Sequence, residues 1–341
     1  MLRGLYRNVL PVIVAATLTG ACTSARRAQT TLAPDAATET MQAAATLSAK
    51  GERTPAPHDS SLLEVVTPQA TFTPTSTPTI DIVHIDFPSQ PGAYTSKLSD
   101  RSTAPLAEKQ RSIGDSFDRN IFERPFDAQN MEYQPWIDIA PGAELSLDPP
   151  WVYVSIFLEG APPSDAQAVY AVELDLNVDG RGDWLITAST PLSEEWSTKG
   201  VRAYIDSNGD VGGETPAQAE DPPYQGDGYE TLLFDEGSGI DPDAVFSRIL
   251  SEPVTTVQFA LNHSIIANDR MFMWGVWAIG GSIQPERFEY NDTLTLEEAG
   301  SPSSPNRYYP LKELSSVDST CRWVQGIVPR KGMPSSCGYQ P

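Results

Sequence analysis

The sequence predicts a mainly β protein: a single jelly-roll-like β-sandwich carried on a disordered tether rich in Thr, Pro, Ala and Ser. Three observations predict it. Beyond residue 110 the apolar residues come in short runs, broken by Gly, Pro, Asp and Asn, as strands joined by turns require. No repeat of fixed period is present, which sets aside propellers and solenoids. One segment reads as a helix, Asp241–Leu250, with Asp241-Pro242 as N-cap and first turn.

Taken in order, residues 1–21 have the form of an export signal. Arg3 and Arg7 precede an apolar run from Val9 to Leu18, broken only by Pro11. That run is too short for the ~20 residues a membrane span needs. Leu18-Thr19-Gly20-Ala21-Cys22 follows, and the ending on Cys22 resembles a bacterial lipobox, with Thr19 where Leu is usual. The resemblance implies a lipid on the Cys22 thiol and a mature N-terminus at that residue. Residues 22–110 form the tether. Stretches such as Thr71-Phe72-Thr73-Pro74-Thr75-Ser76-Thr77-Pro78-Thr79 bury too little apolar surface to offset chain entropy. At ~3.3 Å per extended residue such a tether reaches well over 100 Å, far enough to hold a domain off a membrane and through wall material. Residues 80–86 alternate and suggest a short strand.

The main domain is expected from 110–115 to 300. Its strands are expected at Trp151–Leu158, Val169–Leu176, Trp184–Ala188, Val201–Ile205, Thr231–Phe234, Thr255–Leu261 and Met271–Ile279. Residues 301–341 are expected as a C-terminal extension. With Cys22 set aside, only Cys321 and Cys337 remain, and in an oxidising compartment they are expected to form a disulfide. Closing that loop contributes about 3 kcal/mol in the chain-entropy model.

Charge narrows the partners. The chain has 45 acidic and 23 basic residues, a formal net charge of −22. Nucleic-acid binding needs a basic footprint, so that class is set aside. The three histidines, His58, His84 and His263, offer no metal cluster, and no nucleophile motif is present. Glu194-Glu195 and Glu297-Glu298 are adjacent pairs, which on strands point to opposite faces. Composition leaves a two-carboxylate glycosidase open, but its diagnostic is a separation in space.

The most specific pattern is Asp175-Leu-Asn177-Val-Asp179-Gly180-Arg-Gly-Asp183. Three oxygen-bearing side chains alternate with spacers, a glycine follows, and a further Asp comes three residues later. Short loops bring hard oxygens to Ca2+ in this way, and the pattern resembles the first half of an EF-hand loop. Ile186 stands where that loop carries its bidentate Glu, so the helix-loop-helix switch is not implied. Asp206, Asn208 and Asp210 repeat the spacing, and Asp221–Glu230 adds a third acidic stretch. Asn/Asp/Gly hairpin turns use the same residues. A turn, however, needs one or two such positions, not three spaced oxygens, and two loops share the spacing. A structural Ca2+ is therefore expected on Asp175, Asn177, Asp179, Asp183, Asp206, Asn208 and Asp210. The tripeptide Arg181-Gly182-Asp183 belongs to this loop rather than to an adhesion motif.

Of the tryptophans, Trp136, Trp151, Trp184, Trp196, Trp274 and Trp277 fall in the domain. Trp274 and Trp277 are expected to face opposite sides of one strand, one inward and one outward. The blocks Phe122–Phe126, the Asp-rich loop, Asn291-Asp292, Leu296–Pro302, Tyr308–Lys312 and Cys321-Arg322-Trp323 resemble a group of exported bacterial lipoproteins of uncharacterised activity. More loosely, the Asp-rich turns between strands are similar to those of carbohydrate-binding β-sandwich modules. These resemblances imply a membrane-tethered, extracytoplasmic binding protein for a glycan or wall material, with calcium stabilising the sandwich. An exported carboxylate glycosidase and a structural or adhesive surface protein are the alternatives.

Overall fold

The computed structural model describes residues 82–212, 215, 226–290, 293–300 and 313–337. The expected signal segment, Cys22 and the tether up to residue 81 lie outside the described residues, as do residues 221–225 of the third acidic stretch, Asn291-Asp292 and residues 301–312. Among the described residues no helix is long and apolar enough to cross a membrane.

The fold is mainly β, built from two antiparallel sheets. The smaller has β1 (Ser96–Ser99), β3 (Ile139–Asp148), β4 (Trp151–Leu158), β11 (Thr256–Asn262) and β10 (Val245–Leu250), in the order β1-β3-β4-β11-β10. The larger contains β2 (Glu123–Arg124), β13 (Val317–Ser319), β12 (Phe272–Gly280), β5 (Ala168–Asp175), β6 (Trp184–Ser189), β7 (Val201–Ile205), β8 (Thr231–Asp235) and β9 (Ser238–Gly239), in that order. β14 (Trp323–Gln325) also pairs with β12.

Alternation places the core between the sheets. Val152, Val154, Ile156 and Leu158 of β4 and Val257, Phe259 and Leu261 of β11 face Tyr170, Val172 and Leu174 of β5 and Trp274, Val276 and Ala278 of β12. These side chains are essentially free of solvent, each contributing about 1.5–3 kcal/mol of burial.

Four expectations need correction. Val245–Leu250 is a strand, not a helix. Asp241 does make the turn, accepting the Asp243 N–H at 2.9 Å, but the chain then pairs with β11, Val245 opposite Leu261. Val245 enters the core while Phe246 joins an aromatic cluster with Trp151 and Tyr153 on the outer face, a period-2 pattern that outweighs the capping signal. The folded region also starts before residue 110. Ser96–Ser99 pairs with β3, and the extended segment 82–90 lies across the outer face of the small sheet. There Ser89 N–H donates to the Tyr153 hydroxyl at 3.0 Å and Asp243 accepts from Ile85 and Asp86. The described part of 80–86 is thus held by side chains rather than by a strand ladder.

The third correction is at the C-terminus. Residues 317–319 and 323–325 are not an extension but strands that complete the large sheet. The fourth concerns the tryptophans of β12: both are buried, Trp274 in the main core and Trp277 in a second cluster with Phe122 and Phe288. Chain from before β2 and after β12 covers the outer face of the large sheet, so its central strand is apolar on both sides. β3 escaped expectation because Pro141 and Gly142 interrupt it. The register shifts there, and Gly142, at φ +126°, lies so close to β1 that a Cβ would fall 2.1 Å from the Leu98 carbonyl oxygen.

Candidate functional site

The two Asp-rich loops meet at one end of the large sheet. β6 pairs with β7, Trp184 opposite Ile205, so the turn after β5 and the turn after β7 become neighbours. Asp206 N–H donates to the Asp183 carbonyl at 3.1 Å.

Within the loops the carboxylates gather backbone N–H groups. Asp175 is buried; its Oδ1 accepts from Val178 at 2.6 Å and its Oδ2 from Gly180 at 2.8 Å. Asp183 Oδ2 accepts from Leu176 at 2.6 Å. Asn177 Oδ1 accepts from Asp179, and Asp179 Oδ1 from Arg181, each at 2.9 Å. Asp206 repeats the arrangement, accepting from Gly209 at 2.7 Å and Val211 at 2.9 Å. Asp210 reaches the third acidic stretch, accepting from Asp227 at 3.1 Å and Gly228 at 3.0 Å, while Asn208 donates to Asp227 Oδ1 at 2.7 Å. Both loops are therefore organised as self-capped Asx turns. Burial pushes the Asp175 carboxyl up to about 7, against the two loop N–H groups and Arg322. Asp183 is raised by burial first, then by the charges of Asp179 and Asp206.

A buried ion-pair network supports the loop end from below. Arg322, next to the Cys321–Cys337 disulfide, donates from Nε to Glu173 Oε2 and from Nη2 to Glu173 Oε1, both at 3.0 Å. Its Nη1 donates to the Gly180 carbonyl at 2.8 Å, and it also contacts Glu289. Tyr229 donates to Glu173 Oε1 at 2.5 Å. Gly182 packs against this network so closely that a Cβ would lie 1.7 Å from the Tyr229 hydroxyl oxygen. Arg181-Gly182-Asp183 is thus built into the loop's foundation. The expected disulfide is present, and what it braces is Arg322.

Around the rim, Leu176, Asn177, Asp183, Trp184, Ile205 and Asp206 line a shallow recess of about 370 Å³. Trp184 is half-buried there, beside two carboxylates and an exposed amide. Trp196 is also half-buried, but Arg248 stacks over it at 4.2 Å. His263 is buried with its Nε2 against the Asp269 carbonyl, a structural role. Glu194 and Glu195 are exposed; Glu298 closes a capping box with Thr295 at the start of α2 (Leu296–Ala299).

Among the described residues, one set of acidic side chains brings its oxygens within 4.8 Å of one another: Asp100, Glu123 and Asp318. The three lie far apart in the chain without a shared motif, so no local pattern marks them. Compared with known proteins, the chain matches no family model, no curated protein and no solved structure.

Proposed function

We propose that this chain is a lipid-anchored, extracytoplasmic binding protein whose β-sandwich recognises a glycan at the loop end. The observation that carries the proposal is Trp184, half-exposed in a recess with Asn177, Asp183 and Asp206. An indole face beside carboxylate acceptors and an amide is the set of partners a sugar ring uses, its apolar C–H face on the indole and its hydroxyls donating to the rim. The lipobox-like Cys22 and the tether supply attachment to the outer face of a membrane. Calcium at the same end, on Asp175, Asn177, Asp179, Asp183, Asp206, Asn208 and Asp210, fixes the rim by drawing the two loops together.

Binding is favoured over hydrolysis by how the carboxylates are engaged. Asp183 and Asp206 are each tied to N–H groups of their own loop. A general acid needs a proton free for the leaving group. The test is glycan-array binding followed by titration calorimetry. W184A is expected to weaken binding at least about tenfold, roughly 1.4 kcal/mol, with W196A unaffected. Absence of binding to any glycan by the folded protein, or equal loss in both variants, sinks the proposal. For the calcium part, D175N and D206N are expected to reduce the chelator sensitivity of that binding.

A further inference from the structure

We propose that a divalent cation of the hard, calcium-like class is held in a second, buried site by Asp100, Glu123 and Asp318, with the Asp138 carboxylate nearby, bracing the edge of the large sheet against the small one. The proposal is independent of the glycan site and of the Asp-rich loops.

Strand register creates the site. In the β2–β13 pair, Glu123 lies directly opposite Asp318, an arrangement of like charges that is unfavourable without compensation. Asp100 comes at the end of β1, and Asp138 immediately precedes β3. Asp138 and Asp318 are fully buried and Glu123 is 1% exposed. Asp100 is half-buried as a residue, but its Oδ2 is closed to solvent.

The pointer to a ligand is a recurrent half-satisfaction. Asp318 Oδ2 accepts from Ile139 N–H at 2.6 Å, and its Oδ1 has no partner. Asp138 Oδ2 accepts from Thr103 N–H at 2.9 Å and from the Tyr133 hydroxyl at 2.5 Å, and its Oδ1 has no partner. Asp100 Oδ1 accepts from Arg101 N–H at 2.8 Å, and its Oδ2 has no partner. Each of three carboxylates is thus fixed by protein donors through one oxygen and leaves the other buried and unbonded. Glu123 joins them, its Oε1 accepting from Thr103 Oγ1 at 2.5 Å. An unmet buried acceptor is normally avoided, and three on neighbouring anions are avoided more strongly.

Among the described residues, the positive charge adjacent to the cluster is already committed elsewhere. Arg124, the adjacent guanidinium, is engaged by Asp115 through both Nε at 3.0 Å and Nη2 at 3.1 Å. The charges acting most strongly on Glu123 and Asp318 are other carboxylates. A single cation between Asp100, Glu123 and Asp318 answers the charge of all three and of Asp138 beside them. All ligands are hard oxygens, with no sulfur or imidazole, which selects the Ca2+/Mg2+ class. Ligand atoms of Asp100, Glu123 and Asp318 lie within 4.8 Å of one another, close enough for one ion to reach all three.

The test is calcium titration of the full-length protein after EGTA treatment, read by melting temperature and by displacement of luminescent Tb3+. Calcium at about a hundredfold excess over its dissociation constant is expected to raise Tm by about 5–10 °C. D318N and D100N are each expected to lose at least half of that rise, and in chelator to melt no lower than wild type, since each removes a buried repulsion. D175N and D206N are expected to keep at least half. No rise in wild type overturns the proposal, as does a full rise in both D318N and D100N. A rise lost only in D175N and D206N places the cation in the loops and also overturns it, leaving the loop-end proposal standing. If D318N does not fold, D100N and the wild-type Tb3+ stoichiometry decide: a D100N titration unchanged from wild type rejects the buried site.

Discussion

The loop end of the large sheet and the buried carboxylate basin are both acidic, yet they handle negative charge in opposite ways. At the loop end each Asp gathers N–H groups from its own turn, and Arg322 stands beneath as a buried cation. In the basin, four carboxylates arrive from separate segments, each of three keeps an oxygen unbonded, and Arg124, beside Glu123 in the chain, is already engaged by Asp115. Closely spaced acids in sequence thus mark a turn whose own N–H groups hold its carboxylates in place. Acids brought together only by folding leave buried acceptors that need an outside ion or protons. Regular spacing marks the first region in the sequence, and unmet buried acceptors mark the second in the structure.

Removing the cation under the loop end breaks the comparison most sharply. Arg322→Met leaves Glu173 and Glu289 buried without their partner, and is expected to destabilise the domain by about 3–5 kcal/mol in urea unfolding. A loss below about 1 kcal/mol would mean that the loop end does not depend on this ion pair. Next in size, Gly182→Ala forces a methyl group into Tyr229 and Glu173, and about 1–3 kcal/mol of stability should be lost.

Acidity sharpens the other side. Burial, then the Asp100 and Asp138 charges, push the Glu123 carboxyl up to about 10, and burial above all raises Asp100 and Asp318 as well. Asp115, Tyr133, Arg124 and Glu159 are among the further charged and titratable groups around them. A carboxyl raised on folding binds more protons folded than unfolded, so it stabilises fully below its unfolded value near 4.5 and progressively loses that contribution as pH rises through the folded one. In chelator, stability should fall from pH 5 to pH 8, at about 1.4 kcal/mol per pH unit for each proton retained, and Tm with it. Calcium should flatten that slope, because it binds the ionised form. A chelated protein whose Tm rises over the same range would reject this account of the basin.

The smallest effect concerns backbone strain at the loop end. Val178 sits at φ +62°, a left-handed conformation that a β-branched residue disfavours. Val178→Asn should raise stability by about 1 kcal/mol. A decrease on thermal melting would show that Val178 packs against something worth more than the strain.

Much of the β framework was legible because alternation is local. Trp151–Leu158 and Val201–Ile205 occupy the expected positions, and five more strands shift by a residue at one end or both. The misread segments carry competing signals: Asp241-Pro242 imitates a helix start before β10, and Pro141-Gly142 hides β3. Short β13 and β14 gain strand character only by pairing with β12.

The sequence by itself determined the β class, the pairing of Cys321 with Cys337 and the presence of two Asp-rich turns between strands. Each depends on neighbours within a few residues or on there being two cysteines to pair. Tertiary structure alone decided that both faces of β12 are covered, that Trp184 opens into a recess, and that Asp100, Glu123, Asp138 and Asp318 converge. Those outcomes depend on the register between strands distant in the chain, and a one-residue slip would turn Glu123 or Asp318 to the opposite face.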